Sequence, residues 1–398
     1  MRLVGFEGAR IYFSPCGIGL GHVGRVIPVA EELSRGGAEV MFSTYLEGVD
    51  FVRNHGFPVV SAPAFDFESD STGKIDLQAS IVSRGIPALY RFMQQVTAEM
   101  EYMKAFRPDV VFSDTRLSPV IAGKLLGLPV VLMLNQFLPM VPRTEHNLTL
   151  SKIFDGGVMT LLGRGWAASD VILIPDFPEP YTLSVASLRI PEAYRHLVRM
   201  VGFVLPRRPE EVVDTGKVRG VAGALGGDRL IYAAISGPVR ERDPLIRLLR
   251  PIFEGFPEGY RVVMSLGIPG GGSEPQTSGS LTVIPWVMDR FEYLKACDLM
   301  VCRGGHNTIM QGICYGKPSM IIPTPNHTEQ YGNARRAREL GVAEVLLQDD
   351  ASAEKILGLA DGMLSDPRYR ERLEEFRSRG FVEGLGNTVG AIAELMER

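Results

Sequence analysis

A histidine and an aspartate in the first half of the chain are the residue types of a general base and its supporting acid. His22 lies in the glycine-rich stretch SPCGIGLGHVGR, which follows an apolar run. An imidazole titrates near neutral pH and can accept a proton from a hydroxyl group. Asp114 ends a second apolar run, PDVVFSD, and a carboxylate that reaches the imidazole would hold its tautomer and stabilise its protonated form. In the simpler alternative, both residues only cap the helices that they precede.

Glycine-rich loops after apolar runs indicate a second kind of chemistry, the binding of phosphate by backbone amides. Gly19 and Gly21 allow a tight turn and the close approach of a ligand to the start of a helix. The loop resembles a dinucleotide fingerprint, but His22 stands where glycine or alanine is expected, which argues against a nicotinamide or flavin cofactor. Ser236 and Gly237 open the second half of the chain in the same way, after another apolar run.

The stretch from 286 to 341 combines the most features of a phosphate and sugar site. Gly304 and Gly305 follow an apolar run and open a predicted helix, whose first turn would offer a diphosphate N–H groups and the positive end of the helix dipole. Glu329 and Gln330 follow the next apolar run and carry the donors and acceptors that sugar hydroxyls need. The other side chains expected at this site are those of Trp286, Arg303, His306, Asn307, Thr308 and Gln311.

The elements that must position these residues alternate between short apolar runs and helical periods. The runs include ARIYFSP, DVVFSD and PVVLML in the first half, and RLIYAAIS, DLMVC and PSMIIP in the second. Runs that are apolar on both faces and alternate with helices are typical of a parallel sheet covered on both sides. We therefore predict an α/β protein with two doubly wound, Rossmann-like domains facing a central cleft, and ligands beyond the carboxyl ends of the strands.

The domain boundaries are predicted from the place where this alternation is interrupted. Residues 179–216 have proline-rich ends and show no clear strand, so the boundary is placed near residue 205. The predicted N-terminal domain covers 1–205 and the predicted C-terminal domain covers 206–380. Residues 381–398 are predicted to form a helix that can cross back to the first domain.

Length, composition and charge exclude several classes of protein. The 398 residues correspond to two or three domains, and 45% hydrophobic and 22% charged residues exclude intrinsic disorder. A net charge of −4 argues against a nucleic-acid partner. Four cysteines in so long a chain favour ordinary thiols over a disulfide framework or a zinc site. Because no apolar run reaches the roughly 18 residues that span a bilayer, we expect a cytoplasmic protein, with peripheral docking on the inner face of the membrane left open.

Residues 286–341 resemble the donor-binding signature of inverting nucleotide-sugar glycosyltransferases with the GT-B fold. That group includes plant and macrolide glycosyltransferases and the bacterial peptidoglycan N-acetylglucosaminyltransferase. The resemblance implies that Trp286 stacks on uracil and that Gln311 binds the ribose. It implies a diphosphate contact for Arg303, although the plant signature has histidine at that position, and Gln311 likewise stands in place of glutamate. The positions that match the diphosphate- and sugar-binding residues of the family are Gly305, Asn307, Thr308, Glu329 and Gln330.

The first half is similar to the acceptor side of the same family, although more weakly. GLGHVGR resembles the loop of the acceptor base, and PDVVFSD resembles the strand that ends in the supporting aspartate. The resemblance implies that His22 deprotonates an acceptor hydroxyl, that Asp114 supports it, and that a sugar moves from a UDP-sugar co-substrate with inversion and without a required metal. The N-terminal domain would then bind the acceptor and the C-terminal domain the donor.

Two other functions and the nature of the acceptor are left open at this point. A non-hydrolysing UDP-N-acetylglucosamine 2-epimerase has the same architecture, and a catalytically inactive nucleotide-sugar-binding protein would also retain the donor residues. Residues 86–103 carry apolar side chains at helical spacing, which favours packing against the first sheet but also suits an exposed apolar face. We therefore favour a lipid-linked acceptor at a membrane surface over a small soluble one.

Overall fold

The computed structural model describes residues 5–18, 20–64, 85–137, 162–268 and 270–397. Contacts between Cα atoms divide the chain into two compact units. Of the described residues, those from 207 to 381 belong to the second unit, whereas those before 207 and those after 381 belong to the first. Each unit contains one sheet of seven strands with helices around it, so the predicted pair of Rossmann-like α/β domains is confirmed.

The first unit is built on an all-parallel sheet whose strands are buried on both faces. Ile11 and Phe13 pack on one face and Tyr12 on the other, which is why the run ARIYFSP is apolar throughout. The strands are β1 Arg10–Pro15, β2 Glu39–Thr44, β3 Val59–Ser61, β4 Val110–Asp114, β5 Val130–Met133, β6 Val171–Ile174 and β7 Val198–Met200. The helices are α1 Gly21–Arg35, α2 Glu47–Asn54, α3 Gly85–Phe106, α4 Leu117–Leu125 and α5 Val185–Leu188, with a 3-10 helix at Glu192–Leu197.

The second unit repeats this arrangement, with one antiparallel strand at an edge of its sheet. The strands are β8 Arg229–Ala234, β9 Tyr260–Ser265, β10 Gln276–Ser278, β11 Leu281–Ile284, β12 Leu299–Cys302, β13 Ser319–Ile321 and β14 Ala343–Val345. The helices are α6 Gly216–Val221, α7 Val239–Glu254, α8 Arg290–Ala296, α9 His306–Cys314, α10 Thr328–Glu339, α11 Ala353–Ser365 and α12 Pro367–Ser378, with 3-10 helices at Pro209–Glu211 and Gln348–Asp350. Only β10 runs antiparallel to its neighbour among these strands.

The last helix, α13 (Gly384–Met396), packs within the first unit. It contacts α1, and its Ile392 is fully buried in the core on that side of the sheet. Asn387 Nδ2 donates a hydrogen bond of 2.8 Å to the carbonyl of Val201, just beyond β7. The first unit is therefore assembled from two separate segments of the chain.

The segment 179–216 differs from the expectation that it contains no strand. Val198–Met200 forms β7 and pairs with β6 in parallel register. The strand is short and lies at the edge of the sheet, where Arg199 and Met200 are exposed, so it lacks the fully apolar run that marks the inner strands.

Both sheets reverse their strand order next to their first strand. The orders are β3-β2-β1-β4-β5-β6-β7 and β10-β11-β9-β8-β12-β13-β14. In open α/β sheets ligands bind in the crevice outside the carboxyl ends of the strands, at the place where the order reverses. These places lie between β1 and β4 in the first unit and between β8 and β12 in the second, and the predicted site residues follow these strands.

The apolar residues of α3 fall into two groups, one packed against the first sheet and one exposed, so each of the two alternatives applies to part of the helix. Val96 and Met103 are buried in the core of the first unit. Leu89, Tyr90 and Met93, nearer its amino end, are 62%, 65% and 53% exposed. Within the described parts of the chain, no helix has both the length and the apolar character needed to cross a bilayer.

Candidate active site

His22 and Asp114 meet at the carboxyl ends of β1 and β4. Pro15 and Asp114 are register partners in these neighbouring strands, and the backbone N–H of Cys16 donates a hydrogen bond of 3.0 Å to the Asp114 carbonyl. The helix α1 begins at Gly21, so His22 stands in its first turn. His22 Nδ1 lies 2.8 Å from Asp114 Oδ1; the carboxylate is fully buried, whereas the imidazole is 25% exposed. This is the arrangement expected of a base that contacts a substrate and an acid that orients it.

A third residue, Arg25, completes this cluster. Its Nε donates to Asp114 Oδ2 and its Nη2 to Asp114 Oδ1, both at 2.5 Å, which is the bidentate geometry of an arginine–carboxylate pair. The guanidinium is only 3% exposed, and Nη2 also lies 3.4 Å from Asn135 Oδ1. The sequence analysis missed Arg25, although its position three residues after His22 places both side chains on the same face of α1.

The charges of the cluster balance within the protein interior. Burial opposes ionisation of the Asp114 carboxyl, but the positive charge of Arg25 and the contact with His22 outweigh it and hold the pKa of Asp114 well below its usual range. Thr115 Oγ1 donates a further hydrogen bond of 2.9 Å to Asp114 Oδ1. Asp114 is therefore a carboxylate at neutral pH, and it accepts hydrogen bonds from each of these groups.

A second buried ion pair lies deeper in the first unit, between β1, β2 and α3. Arg116 Nη2 donates to Glu99 Oε1 at 2.6 Å, and both side chains are almost fully buried. Tyr12 Oη and Ser43 Oγ also donate to the Glu99 carboxylate, at 2.7 and 2.8 Å. Among the described residues, the other hydrogen bonds of this pair go to Tyr12, Ser14 and Ser43, so the pair serves the packing of the unit.

The two glycines of the loop after β12 differ in backbone conformation and in surroundings. Gly304 has a φ of +92°, and a Cβ at this position would lie 3.1 Å from both the Gln330 carbonyl and the Ile321 side chain, so the fold itself requires glycine there. Gly305 has an ordinary φ of −64°, and a Cβ there would meet nothing within 4 Å. Neither the backbone conformation nor the packing around position 305 therefore requires glycine there.

Arg303 differs from the phosphate contact that the family resemblance implied. The residue is only 6% exposed. Its guanidinium donates to Gln348 Oε1 at 2.6 Å, to the Ile322 carbonyl at 3.4 Å and to the Glu241 carbonyl. Burial lowers the pKa of Arg303 to about 10, against the influence of nearby Glu241. The buried side chain thus links the loops after β12 and β13 to the start of α7 through hydrogen bonds inside the unit.

Gln330 also uses part of its side chain inside the unit. Its Oε1 accepts a hydrogen bond of 2.8 Å from the Thr324 N–H, and the residue is 9% exposed. Asn333, which the sequence analysis did not single out, is 2% exposed and donates from Nδ2 to the Gly304 carbonyl at 3.2 Å. Both side chains fix loops at the carboxyl edge of the sheet, and Glu329 beside them is half-buried.

The other predicted donor residues also follow the carboxyl ends of strands in the second unit, and their exposure differs. Ser236 and Gly237 are exposed after β8, and the side chains of Trp286, Asn307 and Thr308 are half-buried. His306 and Gln311 are buried, with 3% and 5% exposed. Gly21 begins α1 in the first unit, whereas Gly19 lies outside the described residues. No group of three or more His, Cys, Asp or Glu side chains that could hold a metal is found in the described ranges.

The solved structures of several glycosyltransferases have a similar fold. The spinosyn rhamnosyltransferase SpnG superposes with a TM-score of 0.69 at 17% sequence identity, over 97% of this chain and 99% of that one. At this identity the likeness shows the fold, which is GT-B.

Similarity in amino-acid sequence identifies the class of enzyme. Residues 274–381 match the glycosyltransferase family 28 C-terminal domain. A glycosyltransferase of Methanosarcina acetivorans, itself uncharacterised, is 25% identical over 94% of this chain and 95% of its own. The chain is a glycosyltransferase with the GT-B fold. The predicted enzyme class is thus confirmed, and these similarities give no support to the epimerase alternative.

A second relative of the enzyme has a more specific name. The UDP-N-acetylglucosamine–N-acetylmuramyl-(pentapeptide) pyrophosphoryl-undecaprenol N-acetylglucosamine transferase of Desulforudis audaxviator is 25% identical over 98% of each chain. The residues of the enzyme that match family 28 include β12, the loop with Gly304 and Gly305, and α10. They therefore cover most of the predicted donor residues.

Proposed function

We propose that the enzyme transfers a sugar from a UDP-sugar to an acceptor hydroxyl in a single displacement that inverts the anomeric configuration. The observation that carries this proposal is the His22–Asp114 pair, a partly exposed imidazole held at 2.8 Å by a buried carboxylate where the strand order reverses. Such a pair suits deprotonation of an acceptor hydroxyl.

In the proposed reaction, His22 Nε2 takes the proton of the acceptor hydroxyl while that oxygen attacks the anomeric carbon. The bond from the anomeric carbon to the diphosphate oxygen breaks in the same step, so attack from the opposite side inverts the configuration. The Nδ1–H of His22 remains donated to Asp114, whose negative charge stabilises the imidazolium that forms. Analysis of the product by proton NMR should therefore show the anomer opposite to that of the donor, and a retained anomer would exclude this mechanism.

The second unit is proposed to hold the donor through the loop that precedes α9. The helix begins at His306, its N-cap residue Gly305 forms no side-chain cap, and its first turn carries Asn307 and Thr308, both half-buried. Backbone amides at a helix amino end and the helix dipole stabilise the charge that grows on the leaving diphosphate. Trp286 is proposed to stack on the uracil, with Gln311 at the ribose and Glu329 at the sugar.

A thermal-shift panel of nucleoside diphosphates and their sugars tests the donor. We expect UDP and UDP-sugars to raise the melting temperature more than the guanosine, adenosine or thymidine diphosphates, because a ligand at a hundredfold its Kd stabilises by about 2.7 kcal/mol. Selective stabilisation by another nucleotide would replace UDP in this proposal. Stabilisation by none would contradict the donor site itself.

The neighbouring glycines Gly305 and Gly304 provide matched controls for that panel. Gly305→Ala should fold normally, since its added Cβ meets nothing within 4 Å, yet it should weaken UDP binding about tenfold or more, or about 1.4 kcal/mol. Gly304→Ala should instead lower the free energy of unfolding by about 1–2 kcal/mol or more, because its φ is +92°. Unchanged UDP affinity in Gly305→Ala would show that the diphosphate binds elsewhere.

The acceptor is proposed to be lipid-linked and to be met at a membrane surface. The exposed side chains of Leu89, Tyr90 and Met93 form an apolar stretch near the amino end of α3, and Arg91 among them is exposed. Apolar side chains beside a cation suit the interface of an anionic membrane. The Desulforudis relative, whose name specifies a pyrophosphoryl-undecaprenol acceptor, supports the same class of acceptor.

Sedimentation with anionic vesicles tests this surface. The double variant Leu89→Gln/Met93→Gln should lose about tenfold or more in vesicle partitioning, because burial of one large apolar side chain contributes about 1.5–3 kcal/mol. Leu125→Gln is the matched control: Leu125 is 65% exposed but lies at the carboxyl end of α4, where the chain turns back toward the amino end of β5. Equal partitioning of all three proteins would contradict the membrane surface.

A further inference from the structure

The guanidinium of Arg25 is unusual among the groups around His22, because it touches both members of the proposed base pair. It binds the Asp114 carboxylate through two hydrogen bonds of 2.5 Å, and its Nη2 lies 3.2 Å from His22 Nδ1. At 3% exposure it has almost no access to solvent, so it is not placed to contact an acceptor directly. Its chemistry must therefore act through Asp114 and His22.

We propose that Arg25 is a positioning residue for the transfer reaction, which clamps Asp114 and thereby keeps the Nδ1 proton of His22 directed at the carboxylate, so that Nε2 is left to accept a proton. The inference rests on the proposed role of His22 as the base. A carboxylate held by a bidentate arginine cannot rotate about its last bond without breaking both hydrogen bonds. Oδ1 of Asp114 is thus kept at 2.8 Å from Nδ1, which leaves Nε2 as the proton acceptor.

The charge of Arg25 has a second effect on the same ring. Among the described residues, the charged groups that contact the imidazole are those of Asp114 and Arg25, and the neutral Thr115 and Asn135 contact these two. The positive charge of Arg25 offsets the negative charge of the carboxylate that faces the ring. Without the guanidinium, the ring would face an uncompensated carboxylate, and a nearby negative charge favours the imidazolium.

The variants Arg25→Met and Arg25→Lys separate these two effects. In Arg25→Met the carboxylate loses both its clamp and its counter-charge, and we expect kcat to fall by about a hundredfold through misplacement of the base, with the donor KM unchanged. Nitrogen NMR of the ¹⁵N-histidine-labelled protein at neutral pH should show His22 changing from the Nδ1–H tautomer toward the imidazolium. Arg25→Lys retains the charge without the fork, so the ring should stay neutral while kcat recovers only in part.

A matched control distinguishes positioning from general loss of packing. Arg116→Lys alters the other buried arginine–carboxylate pair of the first unit, and it should lower stability without changing the His22 nitrogen signals. Wild-type kcat and wild-type nitrogen signals in Arg25→Met would overturn the proposal. If that variant does not fold, the kcat of Arg25→Lys decides, because wild-type kcat there would show that the fork is not needed.

The failure of the base assignment would be recognised separately. If His22→Ala retained turnover, His22 would not be the base, and the proposed function would have to be revised. The nitrogen signals of His22 in the Arg25 variants would still report whether the clamp sets the tautomer, since that measurement does not use activity. Unchanged signals in both Arg25 variants would overturn the clamp whatever the role of His22.

Discussion

Replacing His22 with alanine is expected to reduce kcat by about a hundredfold or more and to leave donor binding unchanged. The side chain is the partly exposed member of the pair with Asp114, and it is the group that would meet the acceptor hydroxyl. The residues that we propose to hold UDP, around the start of α9, belong to the second unit, so the UDP-dependent thermal shift should be the same in the variant and in the wild type. Initial rates at saturating donor and acceptor, together with that thermal shift, provide the measurement.

His55 provides the control for this prediction. It is an exposed histidine at the end of α2, where its Nδ1 lies 2.8 Å from the Phe51 carbonyl. His55→Ala should retain wild-type kcat, because the ring has no part in the proposed chemistry. A loss of UDP binding with unchanged kcat in His22→Ala would place the imidazole on the donor instead of the acceptor.

Asp114→Asn is expected to destabilise the first unit by about 3–5 kcal/mol, because it leaves the buried Arg25 without its counter-charge. Asparagine preserves the shape of the side chain but directs an NH₂ group or a weaker acceptor at the guanidinium. Glu99→Gln breaks the other buried pair of the same unit, with Arg116, and should cost a similar amount. Chemical denaturation measures both losses. Only Asp114→Asn should also lower the kcat of the folded enzyme, and equal kcat in the two variants would contradict the role of Asp114.

The pH dependence of the free energy of unfolding in acid provides an independent check on the ionised state of Asp114. Because the pKa of its carboxyl is lowered by folding, the carboxylate contributes stability that is fully present above the ordinary aspartate pKa of about 3.9. That contribution is lost as the pH falls below this value toward the pKa of the folded protein. The free energy of unfolding of Asp114→Asn should therefore depend less on pH in this acidic window than that of the wild type.

Most of the fold could be predicted because its inner strands are buried on both faces. Such strands are continuous apolar runs, and ten of the fourteen strands in the described residues lie in runs of this kind. The other four, β3, β7, β10 and β14, are short edge strands with partly or fully exposed residues. An edge strand acquires its conformation from the neighbour it pairs with, and that neighbour is distant in the sequence. The local pattern of Val198–Met200 therefore could not indicate a strand.

The candidate site was predictable to the extent that it depends on strand ends. His22 and Asp114 follow two runs that the parallel-sheet pattern brings to one edge, so their contact could be anticipated. The inward direction of Arg303 could not, because it depends on Gln348, which lies 45 residues away and belongs to no motif. The position of Arg25 beside His22 could have been predicted from helical spacing. Its contact with Asp114 could not, because that contact depends on the distance between α1 and β4 in the folded unit.

Because α13 belongs to the first unit, the order of synthesis on the ribosome determines which unit can complete its core first. Arg207–Phe381 is continuous and can collapse as soon as it emerges, whereas the lobe with His22 waits for residues that are translated after it. Until then the core that contains Ile392 lacks the side chains of α13. The imidazole of His22 thus belongs to the unit whose core is completed last, although the codon of His22 is among the first to be translated.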